Sequence, residues 1–150
     1  MKKSKTKILL VDDEPDILEI VGYNLAQEGY QIIKAENGKI AIEKAKKELP
    51  HLIIMDVMMP EMDGMEACEN IRKIPELKNV IITFLTARSE DYSQVAGFDV
   101  GADDYITKPI KPKLLVSKVK ALLRRLKEEE QNSETLNLGG IEINREEYKI

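Results

Sequence analysis

Polar side chains that could do chemistry stand directly after four strand-like runs of the sequence. They comprise three carboxylates, one hydroxyl and one amine: Asp12, Asp13, Asp56, Thr86 and Lys108. Carboxylates that crowd together repel one another unless some are protonated or a cation binds them. Oxygen ligands without histidine or cysteine favour a hard ion such as Mg²⁺. These residue types could therefore bind magnesium and handle a phosphate group.

Asp56 is the candidate nucleophile of this set. An aspartate beside a metal and a cation can attack a phosphoryl donor and form an acyl phosphate. Lys108 offers a mobile positive charge for one phosphate oxygen, and Thr86 offers a hydroxyl donor for another. Each residue alone has a simpler explanation: Asp12, Asp13 and Thr86 could cap helices, and Lys108 could be a surface lysine. Their conjunction at four strand ends favours the chemical interpretation.

The apolar pattern predicts five strands that alternate with helices. Strand-like runs lie at 8–11, 30–35, 52–56, 80–85 and about 104–106, and helical spacing lies at about 15–29, 40–49, 67–74, 89–98 and 111–129. This alternation predicts an α/β fold, a doubly wound parallel sheet with helices on both faces. Ligands of such sheets bind beyond the carboxyl ends of the strands. The polar residues should therefore meet at one edge.

Composition limits the remaining classes of function. The chain has 150 residues, of which 43% are hydrophobic and 33% charged, which suits one compact domain and a fragment of another. A formal net charge of -4 gives no overall attraction to nucleic acid or anionic membranes. Cys68 is the single cysteine, which excludes an internal disulfide. The apolar run at 8–11 is too short for a signal peptide or membrane span, so we expect a cytoplasmic protein.

The combined motifs resemble the receiver domain of bacterial two-component response regulators. The resemblance covers roughly residues 5–127 and rests on Asp12-Asp13, Asp56-Val57-Met58-Met59-Pro60 with Asp63-Gly64, Leu85-Thr86-Ala87, and Gly101-Ala102-Asp103-Asp104-Tyr105 with Lys108-Pro109. It implies a flavodoxin-like, five-stranded parallel sheet in the order 2-1-3-4-5. It also implies that the domain catalyses only its own phosphorylation and dephosphorylation and is not otherwise an enzyme.

The resemblance assigns a partner and a cofactor to the acidic residues. A sensor histidine kinase would transfer its phosphoryl group to Asp56. Asp13, Asp56 and the backbone carbonyl of Met58 would hold Mg²⁺, with Asp12 assisting partly through water. These residues would thus serve both as the phosphoryl acceptor and as the metal site.

A switch pair is implied by the same resemblance. Thr86 would move toward the new phosphoryl oxygens, and the space it leaves would admit the ring of Tyr105. The Lys108-Pro109 peptide bond would be cis. Phosphorylation would thereby change the surface around the fifth strand.

The domain organisation predicted from the sequence has four parts. Residues 1–6 form a leader, 7–128 the receiver domain, 129–135 a linker, and 136–150 the truncated start of a DNA-binding output domain. The last part resembles the opening strands of the winged-helix domain in OmpR/PhoB-type regulators. DNA would therefore be bound only by a missing output domain, and the expected output is control of transcription.

A homodimer is also implied, formed through the fourth helix, fifth strand and fifth helix. The matching ion-pair residues are Asp103 with Lys118 and Asp104 with Arg125, whereas Gln94 and Leu114 replace a third pair. Other readings remain open: a docking or dimerisation module that phosphorylation does not regulate, an FMN-binding flavodoxin-like protein, or an aspartate-based phosphohydrolase. The lack of a second aspartate two residues after Asp56 argues against the phosphohydrolase.

Overall fold

The computed structural model describes residues 6–59, 61–86 and 101–139, with side chains as far as residue 126. The strands are β1 (Lys7–Val11), β2 (Gln31–Ala35), β3 (Leu52–Asp56), β4 (Ile81–Thr86) and β5 (Asp104–Thr107). The helices are α1 (Pro15–Ala26), α2 (Gly38–Glu48), α3 (Gly64–Arg72), a 3₁₀ helix (Pro75–Leu77) and a C-terminal helix (Pro112–Gly139). The helix predicted at 89–98 lies outside the described residues.

The sheet confirms the predicted topology. All four strand pairings are parallel, and the order is β2-β1-β3-β4-β5. Val11 is aligned with Met55, and Thr86 with Thr107. Because these registers bring the carboxyl ends of β1, β3, β4 and β5 to one edge, the residues that follow each strand share that edge. The strand order reverses at β1 and β3, where ligands bind in such folds.

The central strands are buried along their whole length. Every residue of β3 and of β4 is buried. Branched apolar residues such as Ile53, Ile54 and Ile82 fit a pleated surface that is covered on both faces. Full burial of each such side chain stabilises the fold by roughly 1.5–3 kcal/mol. The polar residues that end β3 and β4 are therefore held in place by strands that are buried along their whole length.

Local capping explains where the first three helices begin. Pro15 fits the first turn of α1 because its missing amide hydrogen has no helical partner there. Asn37 Oδ1 accepts the amide of Ile40 at 2.8 Å at the start of α2. Asp63 Oδ1 accepts the amide of Glu66 at 2.9 Å at the start of α3. These caps fix the loops that leave the carboxyl edge of the sheet.

The C-terminal helix differs from the prediction. It continues to Gly139, across the residues predicted as a linker at 129–135 and into those predicted as a strand from 136. Glutamate, glutamine and leucine have high helix propensity, and neither proline nor glycine interrupts the chain before Gly139. The chain divides into two compact units within this helix, between Ser117 and Lys118. In the described part of the chain, we find no helix with the length and apolar character needed to cross a membrane.

Candidate functional site: an acidic pocket at the carboxyl edge of the sheet

The ends of β1 and β3 bring three carboxylates together. Asp12 and Asp56 are buried, with 1% and 5% of their surface exposed, whereas Asp13 is exposed. One carboxylate oxygen from each of the three residues lies within 4.8 Å of the others. The residues singled out in the sequence therefore form a single pocket, with Asp13 at its mouth.

Lys108 completes the pocket from β5. Its Nζ lies 3.5 Å from Asp12 Oδ2 and 3.5 Å from Asp56 Oδ2. Its backbone amide donates to the carbonyl oxygen of Thr86 at 2.7 Å, which extends the pairing of β4 and β5 by one residue. The Lys108-Pro109 peptide bond is cis, as the resemblance implied. A single ammonium group is thus shared between two buried carboxylates.

Backbone amides orient the two buried carboxylates. Asp12 Oδ1 accepts from the amide of Glu14 at 2.9 Å, and Asp56 Oδ1 accepts from the amide of Met58 at 3.3 Å. In both residues the other oxygen, Oδ2, is the one that faces Lys108. Gly64 packs beneath this turn, where a Cβ would collide with the backbone oxygen of Asp56. The turn after β3 therefore aims Asp56 into the pocket.

The single positive charge of Lys108 does not compensate the burial of the two carboxylates, because both of their pKa values are raised. Burial and the neighbouring charge of Asp12 raise the pKa of Asp56 to about 6, against the lowering influence of Lys108 and the Met58 amide. Burial likewise raises the pKa of Asp12, and the Glu14 amide and Lys108 only partly offset it. Burial lowers the pKa of Lys108, but Asp56 and Asp12 outweigh that effect and leave it raised. A further cation would therefore stabilise the ionised forms of Asp12 and Asp56.

The donor set fits Mg²⁺. Asp12 Oδ2 is buried and accepts no hydrogen bond from any residue that the structure describes. The cluster offers carboxylate oxygens from three residues and neither histidine nor cysteine, the hard-ligand composition that magnesium prefers. Beside its 3.5 Å ion pair with Lys108, Asp12 Oδ2 has no hydrogen-bond partner in the described chain. The pKa of Asp56 is raised, so a divalent cation would stabilise both carboxylates.

Thr86 and Tyr105 occupy buried positions next to the pocket. Thr86 Oγ1 has no hydrogen-bond partner within the described chain, and Thr86 is 0% exposed. An unpaired buried hydroxyl costs about 1–3 kcal/mol. The ring of Tyr105 is buried against Phe84, with ring centroids 5.8 Å apart. The hydroxyl of Thr86 could therefore donate a hydrogen bond to an oxygen atom bound in the pocket.

The residues predicted for the dimer face lie in different surroundings. Asp103 Oδ2 is already engaged within the chain, because it accepts from Arg72 Nη2 at 2.9 Å and from the Ile82 amide at 2.9 Å. Lys118 and Arg125 lie on the part of the C-terminal helix that belongs to the second compact unit. Sequence reasoning missed Arg72, since its partners are up to 31 residues away and no local motif marks it. Gln94 lies outside the described residues.

Comparison with known proteins identifies relatives of the chain. The family model described as the response regulator receiver domain matches residues 8–120. The chain is 43% identical over 131 residues to the alkaline phosphatase synthesis transcriptional regulatory protein PhoP of Bacillus subtilis, covering 87% of this chain and 54% of PhoP. It is 48% identical over 122 residues to the transcriptional regulatory protein ResD of the same organism, covering 81% of this chain and 50% of ResD. The chain thus spans about half the length of these relatives.

Solved structures of receiver domain proteins share this fold. The solved structure of a CheY-like response regulator receiver domain protein from Methanospirillum hungatei superposes with a TM-score of 0.78 at 30% identity. That match covers 83% of this chain and 98% of the other. The pocket geometry, the sheet order and the sequence matches agree. The chain therefore belongs to the response regulator receiver domain family, the phosphoacceptor modules of two-component signalling.

Proposed function

We propose that Asp56 is the phosphoryl acceptor of this receiver domain and that a sensor histidine kinase is the donor. The observation that carries the proposal is the buried Asp56 carboxylate, 3.5 Å from Lys108 at the end of the central strand. An oxygen of Asp56 would attack phosphorus and form a new O–P bond. The P–N bond to the kinase histidine would break, and its electron pair would return to the imidazole, which takes up a proton.

The pocket residues would each assist this transfer. Receiver domains bind Mg²⁺ at an acidic pocket, and here Asp12, Asp13, Asp56 and the carbonyl of Met58 would hold it. When bound, the ion disperses charge on the transferring phosphoryl oxygens. Lys108 already touches Asp56 and would follow the charge onto a phosphoryl oxygen. In this sense the domain catalyses its own phosphorylation and dephosphorylation.

Thr86 and Tyr105 would convert the acyl phosphate into a structural signal. The unpaired hydroxyl of Thr86 would donate to a phosphoryl oxygen and shift toward it. That shift would favour the buried position of the Tyr105 ring against Phe84. A population shift of this kind needs a few kcal/mol of differential interaction, which charge-assisted hydrogen bonds can supply.

The output would be control of transcription by the longer protein in the cytoplasm. Curated relatives that match the chain along about half their length are transcriptional regulators by name. Phosphorylation would promote a homodimer through the fourth helix, β5 and the C-terminal helix, with Asp104 and Arg125 as an ion pair across the two-fold axis. DNA would be bound by an output domain that begins near residue 136.

Intact-mass measurement after incubation with acetyl phosphate and Mg²⁺ tests the proposal. The parent chain should gain one phosphoryl group, Asp56→Asn should gain none, and the matched surface variant Asp16→Asn should behave as the parent. An equal gain in Asp56→Asn, or no gain in the parent, would refute it. The absence of a gain would favour the alternative of a docking module without phosphorylation.

A further inference from the structure

Arg72 joins three segments of the chain near the amino-terminal ends of β4 and β5, whereas the acidic pocket lies at the carboxyl ends of the strands. It is the last residue of α3. Its guanidinium donates to the carbonyl oxygen of Gly101 through Nε (3.0 Å) and Nη2 (2.7 Å). It also donates to the carbonyl oxygen of Val80 (2.6 Å) and to Asp103 Oδ2 (2.9 Å). One side chain therefore ties α3 to the beginnings of both β4 and β5.

The same contacts set the register of β5 against β4. The amide of Asp103 donates to the carbonyl oxygen of Ile82 at 2.7 Å, and the amide of Ile82 donates back to Asp103 Oδ2 at 2.9 Å. Gly101 has a φ of 103°, and a Cβ there would lie 3.0 Å from Arg72 Nε. The guanidinium thus fits a space that glycine leaves. β5 lies at the edge of the described sheet with four register pairs to β4, so these contacts add substantially to its anchoring.

Two rigid elements connect this cluster to the phosphorylation pocket. α3 starts where the amide of Gly64 donates to the carbonyl oxygen of Val57 at 2.8 Å, directly after Asp56, and it ends at Arg72. β5 begins directly after Asp103 and ends directly before Lys108. Asp56 and Lys108 are therefore linked by their 3.5 Å contact and also, at the far edge, through α3, Arg72 and β5.

We propose that Arg72 is a positioning residue for phosphoryl transfer, which fixes β5 so that Lys108 stays at Asp56. This inference rests on the function proposed above. Slippage of β5 by one residue would move Lys108 by roughly 3.3 Å and turn alternate side chains to the other face. A misplacement of about 1 Å at a reacting group can lower a rate by about 100-fold. Loss of Arg72 should therefore displace Lys108 and slow phosphoryl transfer at the carboxyl ends of the strands.

A double-mutant cycle on the phosphorylation rate tests this coupling. The rate with acetyl phosphate and Mg²⁺ is measured for the parent, Arg72→Gln, Lys108→Gln and the double variant. Arg72→Gln should slow phosphorylation by at least about tenfold, and it should have no further effect once Lys108 is replaced. Lys73→Gln, which removes the neighbouring exposed charge, should keep the parent rate.

Magnesium affinity separates positioning from general loosening. The carboxylates that would bind Mg²⁺ follow β1 and β3, and displacement of Lys108 removes a competing positive charge from Asp12 and Asp56. Titration calorimetry with Mg²⁺ should therefore give Arg72→Gln an affinity no weaker than that of the parent. A parent-like rate for Arg72→Gln, an effect that adds fully to that of Lys108→Gln, or a parallel loss of Mg²⁺ affinity would overturn the proposal.

A milder variant decides the question if Arg72→Gln does not fold. Asp103→Asn keeps an oxygen for Ile82 and Arg72 but removes the charge, and the same criteria of rate and Mg²⁺ affinity apply to it. A slowed rate without loss of Mg²⁺ affinity supports the proposal, and a parent rate refutes it. A parent chain that is never phosphorylated refutes the proposed function itself, which is a different result from a parent-like variant.

Discussion

Replacing Asp56 by asparagine should make the folded protein more stable, and the gain should depend on pH. The folded state raises the pKa of Asp56 from 3.8 to about 6, so the folded protein holds the proton more tightly than the unfolded chain. Ionisation therefore destabilises the folded state. This penalty is complete above about pH 6 and fades as the pH falls toward 4.

The magnitude follows from the size of the shift. About two pKa units at ~1.4 kcal/mol each give roughly 3 kcal/mol at neutral pH, and about half of that at pH 5. For a domain of this size, this corresponds to a rise in melting temperature on the order of 10 °C. Asparagine has nearly the same shape as aspartate, so it should fit the same buried position and still accept from the Met58 amide.

Urea unfolding in the presence of EDTA measures this effect. Asp56→Asn should exceed the parent in free energy of unfolding at pH 7.5 by about twice as much as at pH 5. Glu43→Gln removes one exposed charge from α2 and should change neither value. Added Mg²⁺ should stabilise the parent more than Asp56→Asn. A variant that is no more stable than the parent at pH 7.5, or a gain equal at both pH values, would contradict the reasoning.

Other substitutions have predicted directions of effect on stability, dimerisation or phosphorylation. Thr83→Val and Thr86→Val each remove a buried hydroxyl without a partner in the described chain, so each should raise the free energy of unfolding by about 1 kcal/mol in urea; a loss in either would show that the hydroxyl is satisfied. Only Thr86→Val should abolish the phosphorylation-dependent rise in dimer fraction seen by sedimentation. Glu61→Gly relieves a φ of 69° and should raise the melting temperature slightly, as left-handed backbone costs other residues about 1–2 kcal/mol; a lower melting temperature would contradict it. Gly64→Ala collides with the backbone oxygen of Asp56 and should slow phosphorylation and lower stability together; a parent-like rate and stability would show that the turn can relax.

The parts predicted from the sequence are those set by local pattern. β3 and β4 are short, unbroken stretches of apolar and β-branched residues bounded by turn signals. Such stretches are typical of the buried central strands of a parallel sheet. The strand ends then follow from topology, since parallel strands share one carboxyl edge. Topology alone therefore predicts that Asp12, Asp56 and Lys108 lie together, in agreement with the 3.5 Å distances from Lys108 to each carboxylate.

Two features depend on interactions that a single sequence does not display. The acidic run after residue 127 lacks an apolar period and resembles a linker, yet a helix that is already nucleated extends at little cost through residues of high propensity. Asp103 stays a predicted dimer residue, but its contact with Arg72 from another element is one that the family pattern does not indicate. Pairing at that separation is decided by the packing of α3 against the sheet.

Location of the acyl phosphate within the chain tests the central claim most directly. The protein is phosphorylated with acetyl phosphate and Mg²⁺, reduced with borohydride to convert the modified aspartate into homoserine, and digested for peptide mass spectrometry. We predict homoserine at residue 56 alone, with Asp12 and Asp13 unmodified. Homoserine at another position, or none in a chain that has gained a phosphoryl group, would contradict the assignment of Asp56 as the acceptor.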